Sequence, residues 1–103
     1  MPARALTLID REWLSEICRR YRVRKLALFG AVLNEQNWPS SGVDVLVEFA
    51  PENVPGYLRL SRLERELAQL FAGRSIEVAT PPMLPAAVRE RILAEAVTHY
   101  AEG

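Results

Sequence analysis

The chain has 103 residues, half of them hydrophobic and a quarter charged, which predicts one soluble globular domain spanning residues 1–103 and leaves no room for a second. Thirteen basic residues balance thirteen acidic ones, which excludes a global field drawing the protein to nucleic acid or to an anionic membrane. The single cysteine, Cys18, excludes an intramolecular disulfide; with no signal-peptide pattern and no apolar run of membrane-spanning length, the expected address is the cytoplasm.

In chain order, Thr7 or Asp10 caps a first helix whose apolar positions Trp13, Leu14, Ile17, Cys18 and Tyr21 recur at helical spacing. Val23 to Phe29 follows as a strand. Its continuous apolar run Leu26, Ala27, Leu28 and Phe29 is that of a buried one, and Gly30 ends it. Ala31 to Ser41 reads as a short helix or turn and then a loop rich in turn formers. Val43, Val45, Val47 and Phe49 alternate with Asp44, Leu46 and Glu48, the period-two pattern of a second strand closed by Pro51 and Pro55. From Tyr57 to Phe71, Leu60, Leu63, Leu67, Leu70 and Phe71 make one helical stripe, and Gly73 stands where a helix ends on a positive φ. Ser75 to Ala79 is a short third strand. Pro81 and Pro82 stop it, and Pro85 starts a final helix carrying Val88, Ile92, Leu93 and Ala96. Alternating strands and helices predict a layered α/β domain around a small central sheet, without giving the strand order.

The stretch Leu26 to Phe49, LALFGAVLNEQNWPSSGVDVLVEF, resembles the signature of the minimal nucleotidyltransferases, a prokaryotic branch of the DNA polymerase beta-like superfamily. In that family a first strand ends in Gly-Ser, a short helix and loop follow, and a second strand opens on Asp-x-Asp preceded by a serine. Here Gly30 matches the glycine, Ser41 the serine and Asp44 the second aspartate. SIEVAT resembles the strand bearing the third carboxylate, at Glu77, and PAAVRERILAEAV the closing helix. The resemblance implies the polymerase beta-like fold, with a small mixed central sheet packed with helices. It also implies Asp44 and Glu77 as catalytic and metal-holding groups, Gly30, Ala31 and Ser41 around a nucleotide phosphate, magnesium as the ion and ATP as substrate or ligand. Three positions depart from the pattern: Ala31 stands for serine, Gly42 for the first aspartate, and Asn34-Glu35 for Arg-Gly.

Nucleotidyl transfer passes through a crowded anionic phosphorus centre that two divalent cations ordinarily stabilise. Side chains two apart on a strand share a face, so Asp-x-Asp serves both ions from one strand, and Gly42 removes one arm. Asp44 and Glu77, with triphosphate oxygens, would hold a single magnesium weakly. The resemblance therefore implies an antitoxin-like partner of a small helical HEPN toxin, acting mainly by binding, with weak or no catalysis. Two alternatives stand beside it: an active magnesium-dependent enzyme moving AMP from ATP to a side chain of a partner protein, and a nucleotide sensor without turnover. Homo- and hetero-oligomers both stay open, while membrane and nucleic acid are not expected partners.

Other chemistry-bearing residues have plainer readings. Glu48 shares the face of Asp44 and suits a rim. Arg19, Arg20, Arg22, Arg24 and Lys25 suit the end of a helix and water. His99 lacks a ligand partner at metal spacing and belongs to the surface. Cys18 belongs to packing. Trp38 reads first as a simple loop anchor, with stacking on a base or docking a partner as the alternative.

Overall fold

A computed structural model describes residues 10–33, 42–53, 55–71 and 73–102. Helix α1, Arg11–Arg20, begins at Asp10, whose carboxylate accepts from the Trp13 amide at 3.0 Å; Thr7 and Trp38 lie outside the described residues. The stripe that it buries is Leu14, Ile17, Cys18 and the following Tyr21, spaced i, i+3, i+4, i+7. Trp13, expected on that stripe, is 38% exposed, because it sits one residue off the stripe and about 100° around the helix. The helix ends at Tyr21, and the chain reverses through Arg22 at φ 61°, a left-handed conformation that costs a side-chain-bearing residue about 1 kcal/mol or more.

Strand β1, Val23–Phe29, enters the centre of a four-stranded mixed sheet together with β2, Val43–Phe49; β3, Ile76–Ala79; and β4, Val97–Ala101. The order is β3-β2-β1-β4, with β1 antiparallel to β2 and β4, and β2 parallel to β3. Between β2 and β3 runs helix α2, Tyr57–Leu70, the crossover that a parallel pair requires. It closes on Gly73 at φ 78°, whose amide donates to the Ala68 carbonyl at 2.7 Å, a hydrogen bond that reaches back over the last turn and satisfies a terminal carbonyl.

The two faces of the sheet are covered unequally. Val43, Val45 and Val47 of β2 and Leu26 and Leu28 of β1 pack with Leu14, Ile17, Leu63, Leu67 and Phe71 of the two helices in the main core. The other face buries Ala27 and Leu46 with Leu84, flanked by Phe29, Ala79, Ile92 and Ala96. Leu46, on the side where the alternation placed Asp44 and Glu48, is 3% exposed because this second layer covers it.

The C-terminal segment departs from the sequence reading. Helix α3, Ala86–Glu95, stops before Ala96, which turns extended (ψ 140°), and residues 97–101 form β4 on the free edge of β1. Arg89 fastens α3 to the preceding turn, donating to the Pro81 carbonyl at 2.9 Å and to the Leu84 carbonyl at 2.8 Å. No residue of α3 is fully buried, so the helix has no continuous stripe to extend it, while Val97, Thr98 and Tyr100 are good strand formers beside open backbone groups of β1. His99, expected on the surface, is half-buried in this strand with Nδ1 3.0 Å from the Val97 carbonyl. No helix of the described residues is long and apolar enough to cross a membrane.

Candidate active site

β1 ends at Phe29 because Gly30, at φ 76°, turns the chain into a four-residue 3₁₀ turn, Gly30–Leu33. The positive φ explains glycine there, and the surroundings add a second reason. A Cβ on Gly30 would meet Oδ2 of Asp44 at 2.8 Å, closer than such contacts tolerate. The carboxylate of Asp44 therefore lies directly against the backbone of the glycine bend.

Asp44 reaches this position because it is the second residue of β2, paired with Phe29 on one side and with Glu77 of β3 on the other. Parallel register puts the Asp44 and Glu77 side chains next to each other on one face. It is the face of the Ala27–Leu46 cluster, opposite the main core that takes Val43, Val45 and Val78. The electrostatics agree with this geometry. Partial burial raises the Asp44 carboxyl above its ordinary range, and the negative charge of Glu77 raises it further. Glu77 itself is exposed.

Gly42, two residues before Asp44, lies beside Ser75, whose carbonyl accepts from the Val43 amide at 2.8 Å. A Cβ on Gly42 would meet Ser75 O at 3.4 Å and Ser75 Cβ at 3.8 Å, so the position has room for a side chain and carries none. Of the other residues singled out, Ala31 continues the turn and Ser41 lies outside the described residues. Glu48 is opposite Lys25, four pairs further along the ladder from Asp44.

As a donor set, Asp44 and Glu77 are hard oxygen ligands whose mutual repulsion a divalent cation would relieve. No group of three or more His, Cys, Asp or Glu side chains suited to a metal ion occurs among the described residues. Among the described residues, the pair alone would leave most of such an ion's shell to water. Two contributors escaped the sequence reading. Phe29 is the cross-strand neighbour of Asp44, and Glu64 of α2 accepts from the Val78 amide at 2.8 Å, pinning the strand that carries Glu77. Neither has a local signal, since cross-strand register and helix-to-edge contacts are not written in neighbouring residues.

No family model matches the chain. A protein of Methanocaldococcus jannaschii, provisionally named a protein adenylyltransferase, is 31% identical over 81 residues, covering 79% of this chain and 84% of its own. A solved structure described provisionally as a minimal nucleotidyltransferase superposes with a TM-score of 0.67 at 28% identity, over 84% of this chain and 86% of that one. A chain from the complex of a tri-AMPylated Shewanella oneidensis HEPN toxin with its MNT antitoxin shares the fold at 12% identity, with a TM-score of 0.63 over 98% of this chain and 73% of that one. At 31% identity to a relative covered over 84% of its length, and with the fold of a minimal nucleotidyltransferase, this protein belongs to the minimal nucleotidyltransferase family.

Proposed function

We propose that this chain is the antitoxin-type member of a nucleotidyltransferase–HEPN pair, which binds a nucleotide at the Gly30 bend and neutralises a HEPN-type protein chiefly by binding it. The observation that carries this reading is the Asp44–Glu77 pair in register beside Gly30, with Gly42 bearing no side chain in the space next to it. Half of a site supports ligand binding better than turnover. Asp44 and Glu77 would hold one magnesium, which when bound neutralises triphosphate charge. The first amides of the 3₁₀ turn, at Gly30 and Ala31, have no acceptor within the turn and would donate to phosphate oxygens, joined by the Ser41 hydroxyl.

The enzymatic alternative uses the same groups. An acceptor hydroxyl oxygen would attack the α-phosphorus of ATP, the bond to pyrophosphate would break, and the hydroxyl proton would pass to a carboxylate. Asp44, whose carboxyl binds a proton more firmly than usual, suits that role. Loss of one metal arm and one phosphate donor is expected to cost orders of magnitude in rate.

The test mixes the protein with labelled ATP, magnesium and a purified HEPN protein encoded beside it. The expected outcome is a stable complex with trace label on the HEPN chain, and an unchanged complex for Asp44→Ala. Gly42→Asp should raise label transfer, because the space beside Ser75 accepts the side chain. Rapid transfer by the wild type that Asp44→Ala abolishes would overturn the binding-only reading, and failure to form a complex would overturn the antitoxin reading.

A further inference from the structure

The Asp44–Glu77 pair has a neighbouring row two residues nearer the start of both strands. β2 and β3 run parallel with Val43 paired to Ile76 and Asp44 to Glu77, and the Val43 amide donates to the Ser75 carbonyl at 2.8 Å, so the ladder continues back to Gly42 and Ser75. Positions two apart on a strand share a face, which puts Ser75 on the face of Glu77 and Gly42 on that of Asp44. The distances agree: a Cβ on Gly42 would meet Ser75 Cβ at 3.8 Å, an ordinary side-by-side contact. The positions thus form a two-by-two array, with a carboxylate at each of two corners, a hydroxyl at the third and no side chain at the fourth.

Ser75 is exposed, and among the described residues its hydroxyl has no hydrogen-bond partner, so no internal bond depends on it. Beside it, the side chain that Gly42 lacks leaves room for a group of a ligand. Charge narrows what enters. Two carboxylates reject a bare anion, whereas a phosphate carried on magnesium brings its own counter-charge. A hydroxyl is a neutral donor, able to hydrogen-bond a phosphate oxygen without adding to the repulsion. Span narrows it further. The Gly30 bend ends β1, which lies two strand spacings from β3, so ~10 Å separates the bend from Ser75. Linked phosphates can touch both places, and a single phosphate touches one.

Resting on the reading of this site as one that holds a nucleotide, we propose that Ser75 is a further phosphate-binding residue. Its hydroxyl donates to a phosphate oxygen seated in the space that Gly42 leaves, and the site therefore prefers nucleoside polyphosphates, as their magnesium complexes, to monophosphates. An aspartate at position 42 would repel that oxygen unless a second ion came between. Glycine there, with serine beside it, turns the corner into a holding point for phosphate, which favours keeping the nucleotide over cleaving it.

Calorimetry of the full chain tests this with inorganic triphosphate and inorganic phosphate, each with magnesium, and with magnesium alone. Triphosphate should bind more tightly than phosphate. Ser75→Ala should weaken triphosphate about fivefold to tenfold and leave magnesium alone unchanged, while Ser75→Thr, which keeps the hydroxyl, should restore the affinity. Without ligand, both variants should melt with the wild type, so a loss of binding would report the hydroxyl and not the fold. Equal triphosphate affinity in the wild type and Ser75→Ala would overturn the role of Ser75 while leaving the nucleotide reading in place. Weakening of magnesium alone by the same factor would also overturn it, by making Ser75 a metal ligand. A wild type that binds neither triphosphate nor ATP would remove the nucleotide reading itself, and this proposal with it.

Discussion

Asp44 concentrates the tension of this molecule in one side chain. Its carboxyl lies against the Gly30 bend, and its partial burial and the charge of Glu77 favour the neutral form. A carboxyl raised in the folded state binds its proton more tightly there than in the unfolded chain. Stability therefore falls as pH rises from the ordinary aspartate value through the raised one, and the charged form is a burden at neutral pH. Asp44→Asn removes the charge and keeps the shape. It should raise the thermal midpoint at pH 7, with the gain shrinking as the pH is lowered toward 3.8, where the wild-type carboxyl is itself protonated. Calorimetric scans across that range check the sign, and a variant that melts lower at pH 7 would contradict the reading. Millimolar magnesium should lift the midpoint of the wild type and leave that of Asp44→Asn unmoved, since only the wild type presents the pair of charges that a cation relieves.

At the scale of elements, α2 does more than bridge two parallel strands. Leu63 and Leu67 fill the main core, Glu66 holds Arg20 and the Tyr21 hydroxyl of the α1 end, and the Arg59 guanidinium lies 5.0 Å over the Tyr21 ring. On its other flank Glu64 accepts from the Val78 amide, a backbone donor on an edge strand that the ladder to β2 leaves unused. One helix thus fixes both α1 and the strand carrying Glu77. Glu64→Ala should cost about 1.5–3 kcal/mol, the range of a hydrogen bond to a charged acceptor, while Glu64→Gln, which keeps a carbonyl oxygen, should cost less. Chemical denaturation measures the difference. Hydrogen exchange at the Val78 amide should accelerate in the Ala variant ahead of the core amides of β1, and equal acceleration throughout would mean that the contact is not local.

For the whole molecule, the main core behaves as one cooperative unit with a reporter at its centre. Cys18 is fully buried on α1 between the helices and the sheet, and burial pushes its thiol up to about 12 from 9.0. Such a thiol is unreactive in the folded state. Labelling by a thiol reagent at neutral pH should be slow in native buffer and should rise along the same denaturant transition as tryptophan fluorescence. Rapid labelling well below that transition would reveal a separate opening of α1. The same shift predicts alkaline destabilisation: the unfolded thiol ionises near 9.0 and the folded one only near 12, so stability is lost as pH rises between them.

Taken alone, the sequence determined what period and local chemistry determine. The stripe of α1, the alternation of β2, the continuous apolar run of β1, the end of β1 at Gly30 and the positive-φ glycine at position 73 all follow from spacing and backbone preference, and the resemblance around Gly30 and Asp44 led to the family. Tertiary structure alone decided what depends on partners distant in the chain. It set the strand order and made β4 from residues 97–101, whose strand formers needed the free edge of β1 to pair with. It buried Leu46 under a second layer, paired Asp44 with Glu77 and Phe29, and tied Val78 to Glu64. The division has one physical cause: helical and strand periods are imposed by backbone geometry within a few residues, whereas register and burial are set by which surfaces meet once the chain has closed on itself.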